Sequence, residues 1–372
     1  MNLVIEQIYL KKPRIEIAEH KGEGHPDTLC DTLCEKASNA LSRYYLKHFG
    51  AVLHHNIDKG LIVAGTSKPK FKGGKIKDPV KIIIAGRATS KAGNIKIPAK
   101  KIIKKAIESY MKRFPLLKYN ISVEIKEGAS NLKEVFKRPI QIANDTSFGV
   151  SHYPLSRVEQ IVLDIGKYLN SSTFRRKFPC IGKDIKVLGV RENNRVSITV
   201  AAAFISKHVK DMNHYKTLKE RVVKHLLQKF KVSKIFLNTL DSYNDESSIY
   251  LTVSGLSCEQ GDDGQVGRSN RHNGVISANI PMSLEATAGK NVSHPGKLYQ
   301  ILAYQLAKRV VNETSAKKAI VRIITQIGKP LDEPYVVHVQ ATGKINLPKI
   351  QEIAKKTFKD IPKIQLDIIR KG

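Results

Sequence analysis

The segment DIKVLGVRENNRVSITVAAAFIS (184–206) reads as two strands around an Asn193–Asn194 turn. On its N-terminal side, PLSRVEQIVLDIGKYL (154–169) carries helical spacing, with Pro154 near the first turn. On its C-terminal side come a basic helix over 216–230 and the strand KIFLNTL. The same succession recurs on both flanks. Before it lie a helix over 27–49 ended by Gly50, strands HHNIDKGLIVAG and VKIIIAG, a helix over 98–113 and strand YNISVEIK (119–126). After it come strand YLTVSG, a Gly-rich segment, helix 295–312, strands KAIVRIITQIG and YVVHVQATG, helix 348–359 and a final strand. Helices and paired strands without strict β-α-β alternation predict an α+β fold, with helices on one face of antiparallel or mixed sheets. No Pro- or Gly/Ser-rich linker separates the rounds. The expectation is one compact unit with interlocked subdomains near 14–127, 128–240 and 241–372.

The chain has 372 residues, of which 41% are hydrophobic, enough for a large core. Its net charge of +31 suggests an anionic partner. The excess lies mostly in three Lys-rich stretches: 66–105, 207–234 and 344–372. Residues 236–300 carry four Lys/Arg against seven Asp/Glu, and they hold the densest Gly, Asn and Ser patterns. Lysines outnumber arginines 48 to 16, which suits solvated surface better than bidentate base or phosphate reading. No zinc-finger or aromatic RNA-binding pattern is present, so a nucleic-acid partner is disfavoured. Four scattered cysteines suit reduced thiols in a cytoplasmic protein. No apolar run is long enough to span a membrane, and no secretory leader is visible.

Five segments have site chemistry. In KGEGHPDTLCD (21–31), two glycines precede His25-Pro26-Asp27 at a helix start, where free N–H groups suit a phosphate or a carboxylate-held metal. Asp27 there is equally a helix cap. ANDTSFG (143–149) is turn chemistry, in which Asp145 is a candidate for a metal or an ammonium group. GDDGQVGRSNRHNG (261–274) is the densest. Its glycines, Gly264 among them, let backbone N–H groups approach a phosphate; Asp262 and Asp263 offer oxygens to a hard cation; Arg268 and Arg271 offer positive charge. In AGKNVSHPGK, Lys290, His294 and Lys297 approach another helix start. In GKDIKVLG, Lys186 sits on a strand and faces either solvent or a ligand. No nucleophile–base pair such as GxSxG accompanies them. Asp, Lys/Arg and Gly together suit a polyphosphate held with Mg²⁺.

GHPD, ANDTSFGV, DIKVLG, YLTVSG, GDDGxVGRxNRxNG and AGKNxxHxGK occur in this order. Together they resemble the S-adenosylmethionine synthase family, archaeal type, from about residue 14 to about residue 310. The resemblance implies three α+β subdomains in pseudo-threefold arrangement. It implies a homodimer with active sites between subunits, or a tetramer built from dimers. It also implies the reaction of ATP, L-methionine and water to S-adenosylmethionine, phosphate and diphosphate. The substrate sulfur is then the nucleophile, which accounts for the missing nucleophilic side chain.

By motif, His25 would lie beside the leaving oxygen. Asp27 would bind Mg²⁺, with Asp262 as a second metal or substrate carboxylate. Lys186, Arg268 and Lys290 would contact the phosphates. Asp145 would face methionine or the metal centre, and Asp262 adenosine or the methionine amine. The loop GASNL (128–132), with Gly128 and Ser130, matches a region used for ATP. Arg271 would replace a second basic residue missing at Ser269, and His294 or Lys297 a neighbouring lysine. The glutamate that binds a monovalent cation has no counterpart near 54–56, so K⁺ is not expected as a firm requirement. Two other functions remain open: a paralogue serving as a regulatory or binding subunit, and a basic nucleic-acid binder.

Overall fold

The structure, a computed structural model, is described for residues 2–128 and 141–371. The eight helices among the described residues are α1 (Pro26–Phe49), α2 (Ala99–Met111), α3 (Arg157–Leu169), α4 (Ser172–Lys177), α5 (Met212–Lys229), α6 (Pro295–Glu313), α7 (Leu347–Lys359) and α8 (Ile361–Lys371). The fold is α+β, with three hydrophobic cores that each pair one sheet with two or more helices. The first core packs α1 and α2 on a sheet ordered Gly264–Gln265, His55–Val63, Val80–Ala88, Tyr119–Lys126. The second packs α3, α4 and α5 on strands Lys234–Leu237, Arg195–Ile205, Ile181–Glu192, Ile15–Lys21 and Ile276–Ser277. The third packs α6, α7 and α8 on Leu3–Gln7, Val336–Gly343, Ala316–Ile324 and Phe148–Tyr153.

Sequential thirds of the chain do not coincide with these cores. Leu3–Gln7 runs parallel to Val336–Gly343, and Ile15–Lys21 joins the middle sheet. Gly264–Gln265 extends the first sheet from the far side of the sequence. Each exchange brings residues distant in sequence to one sheet edge, and two of them build the site described below.

Local chemistry explains the element ends. The Ile181–Glu192 and Arg195–Ile205 hairpin turns at Asn193, whose φ of 54° is left-handed, a conformation that asparagine tolerates. Helix α1 has Pro26 in its first turn and ends at Gly50, whose N–H returns to the Leu46 carbonyl at 3.1 Å. Leu29, Leu33, Ala37, Leu41 and Tyr45 form its fully buried stripe.

Two expectations are corrected. Pro154 lies outside α3. The preceding strand runs to Tyr153, and the helix starts at Arg157 behind Ser156, whose side chain and that of Glu159 form a reciprocal cap. The C-terminal segment is a helix, not a strand. Its many isoleucines favour a strand locally, but Ile361, Ile364, Ile368 and Ile369 recur at helical spacing, and three of them are buried against the first and third cores. The four cysteines are buried free thiols. Among the described residues, no helix is long and apolar enough to cross a membrane.

Candidate active site

The start of α1 lies where strand Ile15–Lys21 leaves the middle sheet. Gly22 N–H still bonds the Ile185 carbonyl at 2.7 Å and Gly24 N–H the Lys183 carbonyl at 3.1 Å, so the GHPD turn is pinned alongside Ile181–Glu192. A Cβ on Gly24 would lie 2.6 Å from the Lys183 carbonyl carbon, so only glycine fits this approach. His25 then caps α1, its Nδ1 accepting the Asp27 N–H at 3.2 Å. From the other side comes the 264–271 loop. A Cβ on Gly264 would meet the Pro26 carbonyl oxygen at 2.4 Å. Gly264 thus allows close packing of loop on helix start.

Charge collects here. Asp27 is buried; its Oδ1 accepts the Gln265 N–H at 3.0 Å and its Oδ2 the Lys21 ammonium at 2.8 Å. Arg268 Nε stands 4.0 Å from Asp27, with its side chain 68% exposed. Lys186 sits directly opposite Lys21 in the antiparallel register, 3.4 Å from Glu19, with its side chain 42% exposed. Burial works against the charge of Asp27, but Lys21 and the Gln265 N–H outweigh it and hold the carboxyl below its usual range. Burial, followed by the Lys21 charge, pushes His25 down to about 4, so the imidazole is neutral at pH 7.

Beside this cluster opens a cavity of about 630 Å³ lined by Ala201, Asp241, Tyr250, Ser257 and Asp262, among others. Lys186 is the register partner of Ala201, which places the cavity next to the cations. Ser257 Oγ lies within hydrogen-bond reach of both Asp184 and Asp262, the latter at 2.9 Å, and Tyr250 donates to Asp184 at 3.2 Å. Burial raises Asp184 to about 6.

A second group gathers at the start of α6. Lys290 is held at 2.7 Å by both Asp58 and Glu285. Burial opposes its charge, but the two carboxylates more than restore it. His294 caps α6 as His25 caps α1, accepting the Gly296 N–H at 3.0 Å, and its Nε2 lies 3.5 Å from Asp145. Lys297 is fully buried against both oxygens of Glu35, at 2.7 and 2.8 Å. Ligand atoms of Asp145, Glu285 and His294 lie within 4.8 Å of one another, a donor set for a cation, although the Lys290 ammonium already sits on Glu285.

The expected residues thus fall into two groups. His25, Asp27, Lys186 and Arg268 come together, with Asp262 at the adjoining cavity. Lys290, His294, Lys297 and Asp145 form the other group. Glu35, which holds Lys297, lies eight residues along α1 from Asp27, about 12 Å at the helical rise. Other expected residues are tied to the scaffold. Asp263 accepts the Ala64 N–H at 2.8 Å. Arg271 donates to the carbonyls of Gly267 and Ser269 in its own loop, at 3.2 and 3.1 Å. Gly128 leaves room for the His54 ring, which a Cβ would approach to 2.5 Å. Ser130 lies outside the described residues.

Lys21, Asp184, Asp58 and Glu285 were missed. Asp184 had a signal, since it lies two residues before Lys186 on a strand and so shares its face. Lys21 had one as well, as the first residue of the KGEGHPD motif. Asp58 and Glu285 had none, because tertiary packing alone brings them to Lys290.

The family model for S-adenosylmethionine synthetase (AdoMet synthetase) matches residues 2–372. The chain is 44% identical over 357 residues to the S-adenosylmethionine synthase of Thermoplasma volcanium, covering 92% of this chain and 89% of that one. It is 40% identical over 395 residues to the S-adenosylmethionine synthase of Archaeoglobus fulgidus, covering 100% and 98%. Among solved structures, an unusual S-adenosylmethionine synthetase from Campylobacter jejuni superposes with a TM-score of 0.62 at 15% identity, covering 93% of this chain and 88% of that one, a likeness of fold. On the full-length family match and these relatives, the chain belongs to the S-adenosylmethionine synthetase family.

Proposed function

We propose that the protein makes S-adenosylmethionine from ATP and L-methionine. The methionine sulfur attacks C5′, the C5′–O bond breaks, and the whole triphosphate leaves. Water then cleaves the triphosphate to phosphate and diphosphate. The observation that carries this reading is the helix start at His25, where a neutral imidazole stands among Lys21, Lys186 and Arg268, and the last two remain exposed. A departing polyphosphate develops negative charge, and preorganised cations stabilise it more in the transition state than in the ground state. Lys186 and Arg268 are placed to take phosphate oxygens, and neutral His25 to donate to the leaving oxygen from Nε2. The cavity beside them takes the nucleoside, with Asp184 and Asp262 accepting hydroxyl or amine protons. The oxygen donors of Asp27 and of the Asp145–Glu285–His294 group suit a divalent cation such as Mg²⁺. Bound with the triphosphate, Mg²⁺ would neutralise part of its charge.

The second group completes the site from a partner copy. Lys290 and His294 face a separate open cavity of about 540 Å³ with Asp58, Asp145 and Glu285. The sheet faces away from the helices supply an apolar contact. On the middle sheet, Ile15 and Ile17 are exposed opposite Glu192 and Val190, respectively, and Leu61 and Val63 are exposed on the first sheet. A homodimer across such faces, in the cytoplasm, is the arrangement we favour. The test is incubation with ATP, methionine and Mg²⁺. Formation of S-adenosylmethionine with equal phosphate and diphosphate is expected, and failure to form it would overturn the reading. A regulatory paralogue would bind the substrates without turnover.

A further inference from the structure

Among the described residues, Lys21 is the one cation at the His25 cluster with almost no exposure, 6%. It ends strand Ile15–Lys21, and its main chain is fixed on both sides: its N–H donates to Asn270 Oδ1 at 2.9 Å, and its carbonyl accepts Asn270 Nδ2 at 2.8 Å. Thr28 Oγ1 donates a second bond to that carbonyl, at 3.3 Å. The side chain then spans the junction between helix start and loop. Nζ donates to Asp27 Oδ2 at 2.8 Å and to the Arg268 carbonyl at 2.6 Å, with Glu19 Oε1 at 3.8 Å. The other oxygen of Asp27 is taken by Gln265. Both carboxylate oxygens therefore have donors before any ion arrives.

We propose that Lys21 is a built-in counter-cation that competes with the divalent ion for Asp27. The inference rests on the reading of Asp27 as a metal ligand. An ion approaching Asp27 alone meets an ammonium 2.8 Å from the oxygen it needs. It must displace that ammonium into a pocket that otherwise offers Glu19 and a carbonyl. A polyphosphate changes the balance, because its oxygens give the displaced ammonium a new acceptor and supply further ligands to the ion. Metal and anion then bind together and resist binding singly, which is positive coupling between the two. Before the anion arrives, Lys21 acts on the ion only through Asp27.

The test measures Mn²⁺ binding to the ligand-free protein from the electron paramagnetic resonance signal of free Mn²⁺. Thermal melts establish that each variant is folded. Wild type should bind weakly. Lys21→Met and the shape-preserving Lys21→Gln should each bind more tightly, on the order of tenfold, and Lys21→Arg should behave as wild type. Adding Asp27→Asn to either neutral variant should abolish the gain. The inference fails if the neutral variants bind Mn²⁺ no tighter than wild type. If they do not, but Asp27→Asn weakens Mn²⁺ binding in the presence of inorganic tripolyphosphate, the Asp27 reading survives alone. If Asp27→Asn changes Mn²⁺ affinity in no background, both are overturned.

Discussion

Helices α1 and α6 both begin with His-Pro, and in both the imidazole Nδ1 accepts the N–H two residues on, at 3.2 Å for His25 and 3.0 Å for His294. Both starts are buried, and both gather lysines and carboxylates. Their charges are used differently. At α1, Lys186 and Arg268 reach their carboxylates only at 3.4 and 4.0 Å and stay open to solvent. At α6, Lys290 is locked between Asp58 and Glu285 at 2.7 Å, and Lys297 is locked on Glu35. The first start keeps two cations loosely paired and open to solvent. The second spends most of its charge holding three elements together and leaves half-exposed Asp145 beside the buried His294. A motif that names only residue types does not distinguish these two conditions, but ion-pair geometry does.

The contrast is broken most sharply by neutralising one lysine in each group. Lys290→Met removes a buried ammonium from two partly buried carboxylates and should cost about 3 kcal/mol of stability, read as a lowered Tm along with lost activity. Lys186→Met should leave Tm near wild type while kcat falls on the order of 10²–10³-fold. Equal Tm losses would erase the distinction. A smaller effect separates two glycines. Gly264→Ala drives its Cβ onto the Pro26 backbone and should cost roughly 1–3 kcal/mol, measured by denaturant unfolding. In Gly296→Ala the nearest atom, at 2.8 Å, is the tip of the Glu285 side chain, which can shift, so the loss should be smaller. The smallest effect is a titration. His25 has a folded-state pKa of about 4 against the ordinary 6.5, so the unfolded chain binds more protons between those values. Its contribution to stability is present above pH 6.5 and is lost as pH falls towards 4. In an NMR titration its ring resonances should hold steady down to about pH 5; a midpoint near 6.5 would contradict the burial argument.

Much of this was legible in the sequence. The Asn193 turn, the helical stripe of α1 and its Gly50 stop follow from local chemistry, and each stands close to where it was expected. The C-terminal helix was not legible from composition, because isoleucine favours strands locally and only the core contact at Ile361, Ile364 and Ile369 settles the matter. The site was half legible. His25, Asp27, Lys186 and Arg268 meet because strand Ile15–Lys21 and loop 264–271 close on the same helix start. Lys290 carried the same signal, yet its partners Asp58 and Glu285 come from segments with no motif at all. Asp263 and Arg271 have the chemistry of ligand groups, and each also bonds backbone groups of neighbouring loop residues. A short polar side chain in a Gly-rich segment satisfies a backbone N–H as readily as it meets a ligand.

In the proposed dimer, the exposed cations of one chain act with the second group of the other. Mixing two inactive variants after dissociation and reassociation tests it directly. Lys186→Met disables the first group and Asp145→Asn the second, and Asp145 is half exposed, so the fold should tolerate the change. If each site draws one group from each copy, a mixed dimer contains one site with both groups intact. Random pairing should then restore roughly a quarter of wild-type activity. Activity that stays at the sum of the two separate variants would show that each chain builds its site alone and would contradict the account.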